Sequence, residues 1–164
     1  MSAFTHIKKM MYCYKDKKNV TFIIIGDGIA PKTGILFALN DDEWKVYVID
    51  PLISNEWTNG IYSKYFPNMQ CYPNKIEEVI FSINNDLKNQ DVVVVVGVHS
   101  HANLSMVWEY LIKNNTELPL ALLSIPCCGG VEHFIKSRDP FLDKVDEGIP
   151  SEKNRVMIWK NNCK

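Results

Sequence analysis

The chain has 164 residues, with 18 Lys and Arg set against 19 Asp and Glu, a formal net charge of −1. That length suits one domain, residues 1–164, able to bury about 70% of its unfolded surface without disulfide or metal staples. The balanced charge supplies no global basic field for nucleic acid or membrane, although a local cluster of Lys8, Lys9, Lys15, Lys17 and Lys18 survives the averaging.

In chain order, residues 1–19 are basic and amphipathic: Phe4, Ile7, Met10, Met11 and Tyr14 recur at roughly helical spacing. They read as an N-terminal helix packed on a sheet, or as a basic arm facing a substrate. The apolar run 22–25 is a strand that stops at Gly26-Asp27-Gly28. Pro31 suits the opening turn of a helix over 33–39, where its missing N–H costs nothing. A second strand, 43–49, ends on Asp50-Pro51. The stretch 52–68 is irregular; its Trp57, Tyr62, Tyr65 and Phe66 either stack on a ligand or fasten the loop to the core.

Met69–Tyr72 is a short third strand, and 75–87 is a helix with Ile76, Val79, Ile80, Ile83 and Leu87 on one face. Val92–Val98 is continuously apolar and β-branched, as a strand covered on both faces must be. A helix over 103–113 follows, with Asn103 as its cap, then a strand over 118–125 broken by Pro126. A short helix over 131–136 and a hairpin of strands 144–148 and 155–159 complete the chain. Five strands alternating with helices and a closing hairpin predict a doubly wound, mostly parallel seven-stranded α/β sheet with an antiparallel C-terminal hairpin. Its ligand crevice belongs beside the first strand, where the strand order reverses.

Residues 1–14 lack the apolar core of a signal peptide, and Val92–Val98 is far short of a membrane span. Five cysteines, of which only Cys127 and Cys128 are adjacent, read as reduced thiols in a cytoplasmic compartment. Nothing in the composition bears on oligomeric state.

Strand, glycine turn, helix, strand and acidic residue form a nucleotide-shaped unit. Glycines let the backbone turn sharply and approach a ligand, and the helix start presents free N–H groups. Asp50, at the end of the neighbouring strand, has the two oxygens needed to accept both hydrogen bonds of a ribose diol. A carboxylate directly after a central strand has no packing use, so Asp50 is assigned to binding. Asp27 either binds or caps the turn that follows it. A phosphate-binding G-x-x-x-x-G-K-[ST] loop is excluded, because Lys32-Thr33 precedes Gly34 instead of following it. The dinucleotide pattern G-x-G-x-x-G is broken where Pro31 stands at the third glycine, which argues against NAD.

The Gly26-Asp27-Gly28 turn, the acidic residue after the second strand and the terminal hairpin together resemble class I S-adenosylmethionine-dependent methyltransferases. The resemblance spans essentially the whole chain in order of elements. Ile24 stands where that family usually has an acidic residue, and Ala30 where it has its last glycine; Val98-His99-Ser100-His101-Ala102-Asn103 replaces its Asp/Asn-Pro-Pro-Tyr. His99 to Asn103, together with Pro126-Cys127-Cys128-Gly129-Gly130, is similar to a subset of the family that includes RNA methyltransferases. The resemblance implies a Rossmann-like methyltransferase fold with S-adenosylmethionine as cofactor. It places Gly26, Asp27 and Gly28 at the methionine end and Asp50-Pro51 at the ribose. The acceptor it implies is unknown, a small molecule or RNA.

His99, His101, Cys127 and Cys128 should meet across neighbouring strand ends. A His or thiolate there binds the acceptor or takes its proton. The same residues are open to other readings: zinc ligation, which adjacent cysteines and a His-x-His step rarely achieve; an activated cysteine nucleophile; or plain packing. No metal site is assigned. The alternatives to a methyltransferase are a non-catalytic binding domain of the same fold, its motif eroded at Ile24 and Ala30, and an NAD-linked oxidoreductase.

Overall fold

A computed structural model describes residues 3–11, 14, 16–127, 135, 138–149 and 152–162. Short β-branched runs form the strands β1 (Val20–Ile25), β2 (Lys45–Ile49), β3 (Met69–Tyr72), β4 (Val92–Val98), β5 (Leu120–Ile125), β6 (Leu142–Val145) and β7 (Arg155–Asn161). The helices are α1 (Ala3–Met11), α2 (Lys32–Asn40), α3 (Asn55–Thr58), α4 (Ile76–Asn85) and α5 (Leu104–Asn114). All seven strands lie in one sheet of order β3-β2-β1-β4-β5-β7-β6. The first five are mutually parallel, whereas β7 runs antiparallel to both β5 and β6.

Alternation along the strands divides the core into two layers. Phe22, Ile24, Val48, Val94, Val96 and Leu123 face Ile7 and Met10 of α1 and Phe37 of α2. Ile23, Ile25, Tyr47, Val95 and Leu122 face Ile80 and Ile83 of α4 and Val107, Trp108 and Leu111 of α5. β1, β4 and β5 are buried along their whole length apart from Val98, because helices cover both sides. α2 lies close to β2 because Gly34 carries no side chain; a Cβ there would come 2.3 Å from Val48 Cγ2.

β3 and β4 begin and end where the sequence places them, and Asn103 caps α5 by accepting the Met106 N–H at 3.0 Å. The other strands and helices agree to within two residues at each end, β2 and β5 each starting two residues later than expected, and three elements differ by more. The N-terminal helix ends at Met11 instead of reaching residue 19. The stretch 52–68 contains α3 and a single 3₁₀ turn, Ser63–Tyr65. Its Trp57 packs against Tyr62 in a tilted pair, with ring centroids 4.5 Å apart, and both Trp57 and Phe66 pack on the core, so these aromatics fasten the loop. Tyr65 remains exposed. The edge strand β6 occupies Leu142–Val145, starting two residues and ending three residues before the expected 144–148. It is mostly exposed, so no burial alternation marks it. Its position is set by pairing with β7, where Leu142 opposes Ile158 and Asp143 forms a two-pronged ion pair with Arg155 at 2.8 and 2.6 Å. Of the helix expected over 131–136 only Ile135 is among the described residues, buried in the core; the rest lies outside them.

The chain steps outward from β1 to β2 and β3, then returns to the other side of β1 as β4. The connections leaving β1 and β4 therefore pass to opposite faces of the sheet, into α2 and α5, and the crevice opens at the carboxyl ends of the strands.

Candidate functional site

β1 ends where Gly26 takes a φ of +82°, a left-handed value that glycine adopts without a Cβ penalty. Its missing side chain makes room for the protein itself. A Cβ there would lie 2.8 Å from both Cβ and Oγ of Ser100 and 2.9 Å from its Cα. Ser100 is buried in the turn after β4, where its Oγ accepts the Ala102 N–H at 3.1 Å. Gly26 thus lets the turns after β1 and β4 touch. Gly28, also left-handed at +79°, faces open space, with no atom within 4 Å of where a Cβ would stand.

Asp27 is turned to α2. Its two oxygens accept the N–H groups of Thr33 (3.0 Å) and Gly34 (2.9 Å), a helix cap of the kind that contributes about 1 kcal/mol. The free N–H groups that make a helix start attractive to phosphate are here engaged by the chain's own carboxylate. Of the two readings open for Asp27, the cap is the one this geometry matches.

Asp50 sits 8% exposed at the end of β2. Oδ2 accepts the Gly28 N–H at 2.8 Å and Oδ1 the Leu52 N–H at 2.7 Å. One lone pair on each oxygen stays available. The carboxylate therefore joins the first glycine loop to the loop after β2, and Ser54 N–H adds a further tie by donating to the Ile29 carbonyl at 3.1 Å.

A cavity of about 460 Å³, a size suited to a small-molecule ligand, opens over these strand ends. Gly26, Asp50, Pro51, His99 and His101 line it together with Ser100, Ala102, Ile25, Ile49 and Leu52. Asp27, Gly28 and Cys127 are not among its lining residues. Its far wall is one that sequence reasoning missed: Asn74, Lys75, Ile76 and Glu77, in the turn after β3 and the first turn of α4. The Pro73-Asn74 pair closing the third strand was the available signal, since a parallel neighbour ends on the same side. The formally charged lining groups, histidines aside, are Asp50, Glu77 and Lys75, two carboxylates against one cation.

His99 follows β4 with φ +54°, a left-handed conformation that costs a non-glycine residue about 1 kcal/mol and tends to occur at functional sites. It is held there by its N–H, which donates to the Ile125 carbonyl at 2.7 Å. The next ring, His101, is exposed and meets Cys127 at the end of β5, with Sγ 3.4 Å from Nε2 and 3.9 Å from Nδ1. Cys128 lies outside the described residues. Among the described residues no group of three or more His, Cys, Asp or Glu is placed to hold a metal ion. Cys71, on β3, is different in character: burial, with a contribution from the Asp27 carboxylate, pushes its thiol up to about 11.

No protein-family model matches the sequence, and no curated protein does. Solved structures do resemble the fold. MtNAS, in complex with MTA and tNA, is 18% identical with a TM-score of 0.59, the match covering 98% of this chain and 60% of that one. MycE methyltransferase from the mycinamycin biosynthetic pathway, in complex with Mg, SAH and mycinamycin VI, is 12% identical with a TM-score of 0.56, over 96% of this chain and 49% of that one. Precorrin-6y C5,15-methyltransferase from Geobacter metallireducens is 15% identical with a TM-score of 0.50, over 93% and 85%. The chain spans about 60% of MtNAS and half of MycE. At such identities the likeness is one of fold: the Rossmann-like methyltransferase fold expected from the order of elements. No helix among the described residues is long and apolar enough to cross a membrane.

Proposed function

We propose that this chain binds S-adenosylmethionine in the cavity over β1, β2 and β4 and transfers its methyl group to a small-molecule acceptor. One observation carries the reading. The phosphate seat at the start of α2 is filled by Asp27, whereas the cavity beside it offers Asp50 and a surplus of negative charge. A dinucleotide or nucleoside triphosphate needs the first; an adenosine bearing a sulfonium needs only the second. Two of the fold neighbours are named as methyltransferases, one of them in complex with SAH.

In this reading Asp50 holds the ribose through its remaining lone pairs, with Pro51 beside it. Gly26 and Gly28 shape the loop at the methionine end, and Asp27 keeps that loop fixed by capping α2. Asn74 to Glu77 flank the base. When bound, the cofactor supplies an activated methyl group. The chain's share of the reaction is to exclude water and orient the two reactants, the effect that dominates in such transfers. His99 and His101 face the acceptor, where an imidazole takes up a proton near neutral pH. Cys127 stands beside His101 at the rim.

A small acceptor is favoured over RNA by the position of the basic residues. Lys17 and Lys18 precede β1 and lie beside Asp91, which accepts the Lys18 N–H at 3.1 Å. That is the amino-terminal edge of the sheet, opposite the cavity. MycE, bound to mycinamycin VI, sets a precedent for a small acceptor on this fold.

Calorimetric titration with S-adenosylmethionine, S-adenosylhomocysteine, NAD and ATP tests the proposal. Binding of the first two and not of the others is expected. Asp50→Ala should weaken that binding by about 150-fold or more, the loss of two hydrogen bonds to a charged group at about 1.5 kcal/mol or more each. Tight NAD binding, or an Asp50→Ala variant that binds S-adenosylmethionine as well as the parent, would refute it. Labelled methyl transfer to small-molecule and RNA fractions then separates the acceptor classes.

A further inference from the structure

We infer that Cys127 is a nucleophilic thiol with His101 as its base, set at the rim of the cavity to take a substrate bearing a soft electrophilic carbon. Three observations converge on it. Both imidazole nitrogens of His101 lie within 4 Å of Sγ, the nearer at 3.4 Å, so the ring presents its nitrogen edge to the thiol. His101 itself lines the cavity, which puts the pair next to whatever the cavity holds. Between that pair and the end of β4 stands His99, whose left-handed backbone is stored strain in the same turn.

The parallel register Val98–Ile125 brings the two strand ends side by side, so residues three beyond Val98 and two beyond Ile125 meet. A cysteine that merely fills a core gap is buried among apolar groups and unreactive. Cys71 packs against the core, and its thiol is pushed up to about 11. Cys127, equally half-buried, instead faces a base at the rim of the cavity.

In the step assigned to the pair, the thiol proton passes to the imidazole of His101. The sulfur electron pair then forms an S–C bond to the substrate carbon, and the leaving group departs with the electrons of the bond it loses. The reaction needs neither oxidant nor cofactor, so the inference stands apart from the cofactor assignment.

Iodoacetamide is the probe, iodide being its leaving group. The reduced full-length chain is alkylated at pH 7, and the rate at each cysteine is read by peptide mass spectrometry, with fragment ions separating Cys127 from Cys128. A base that raises the thiolate fraction from about 3% to about half gains roughly 15-fold, of which lower nucleophilicity returns roughly 5-fold. Cys127 should therefore react about 3-fold faster than glutathione under the same conditions, and more than 10-fold faster than Cys71. His101→Gln should slow Cys127 about 3-fold with Cys71 unchanged, and the unchanged Cys71 rate reports that the fold is intact. A Cys127 rate no higher than that of glutathione, or one indifferent to His101→Gln in a folded variant, overturns the inference. Neither result depends on whether S-adenosylmethionine binds.

Discussion

Replacing Gly26 and Gly28 by alanine, one at a time, separates two reasons for a glycine loop. Both positions have φ near +80°, so each alanine carries a left-handed penalty of about 1 kcal/mol. Only at Gly26 does the new methyl group collide with the chain, at 2.8 Å from Ser100 Cβ and 2.9 Å from its Cα. Relief requires backbone movement, since Ser100 is buried and its Oγ holds the Ala102 N–H. Overpacking of this kind costs about 1–3 kcal/mol more. At roughly 2–4 °C per kcal/mol for a chain of this size, Gly26→Ala should lower Tm by about 4–16 °C and Gly28→Ala by only about 2–4 °C. Circular dichroism melts supply the first comparison and calorimetric titration with S-adenosylhomocysteine the second. The methyl of Gly28→Ala meets no atom of the chain, and because the Gly28 N–H holds Asp50, strain at this residue should be read in ligand affinity more than in stability. Equal melting temperatures for the two variants would refute the reasoning, because they would mean that the contact between the β1 and β4 turns contributes nothing.

Asp27→Ala should cost about 1 kcal/mol, the worth of the α2 cap, and lower Tm by about 2–4 °C; by freeing the Thr33 and Gly34 N–H groups it should also create measurable sulfate binding, detected as salt-specific thermal stabilisation. The buried His6 ring hydrogen-bonds Asp146 across α1 and the turn after β6, and this bond holds the Asp146 carboxyl below the usual carboxylate range. A depressed carboxyl stabilises the fold above its unfolded value near 4 and loses that contribution as pH falls through the folded value. Urea melts should therefore show a gap between the parent and His6→Gln at pH 7 that narrows at pH 3, and a gap that widened on acidification would reverse the sign. Tyr47→Phe removes the hydroxyl that donates to Asp86 at 2.7 Å and should cost about 1 kcal/mol by the same measurement, Asp86 keeping Lys45 at 3.6 Å.

The sequence by itself determined the central strands and the order in which the elements appear. Phe22 to Ile25 and Val92–Val98 are short, apolar, rich in β-branched residues and end on glycine or histidine, the combination that favours a buried strand over a buried helix. The helical faces of α4 and α5 were equally legible, because Ile80, Ile83, Val107, Trp108 and Leu111 recur at 3.6-residue spacing. That pattern also placed the cavity, since a glycine turn after β1 and an acid after β2 occupy the reversal point of a parallel sheet. Tertiary structure alone decided what each polar group does there. Whether Asp27 faced a ligand or the α2 start depended on the angle at which that helix returns, and the return is set by Gly34 packing on Val48. The partner of Gly26 proved to be Ser100, 74 residues away, and the wall from Asn74 to Glu77 joined the cavity only because β3 ends beside β2. The position of β6 followed from β7, an edge strand having no buried face of its own to mark it. Short-range pattern fixes an element because burial is decided residue by residue along it. The chemistry of a site is fixed by which strand ends meet, and that is a property of the whole sheet.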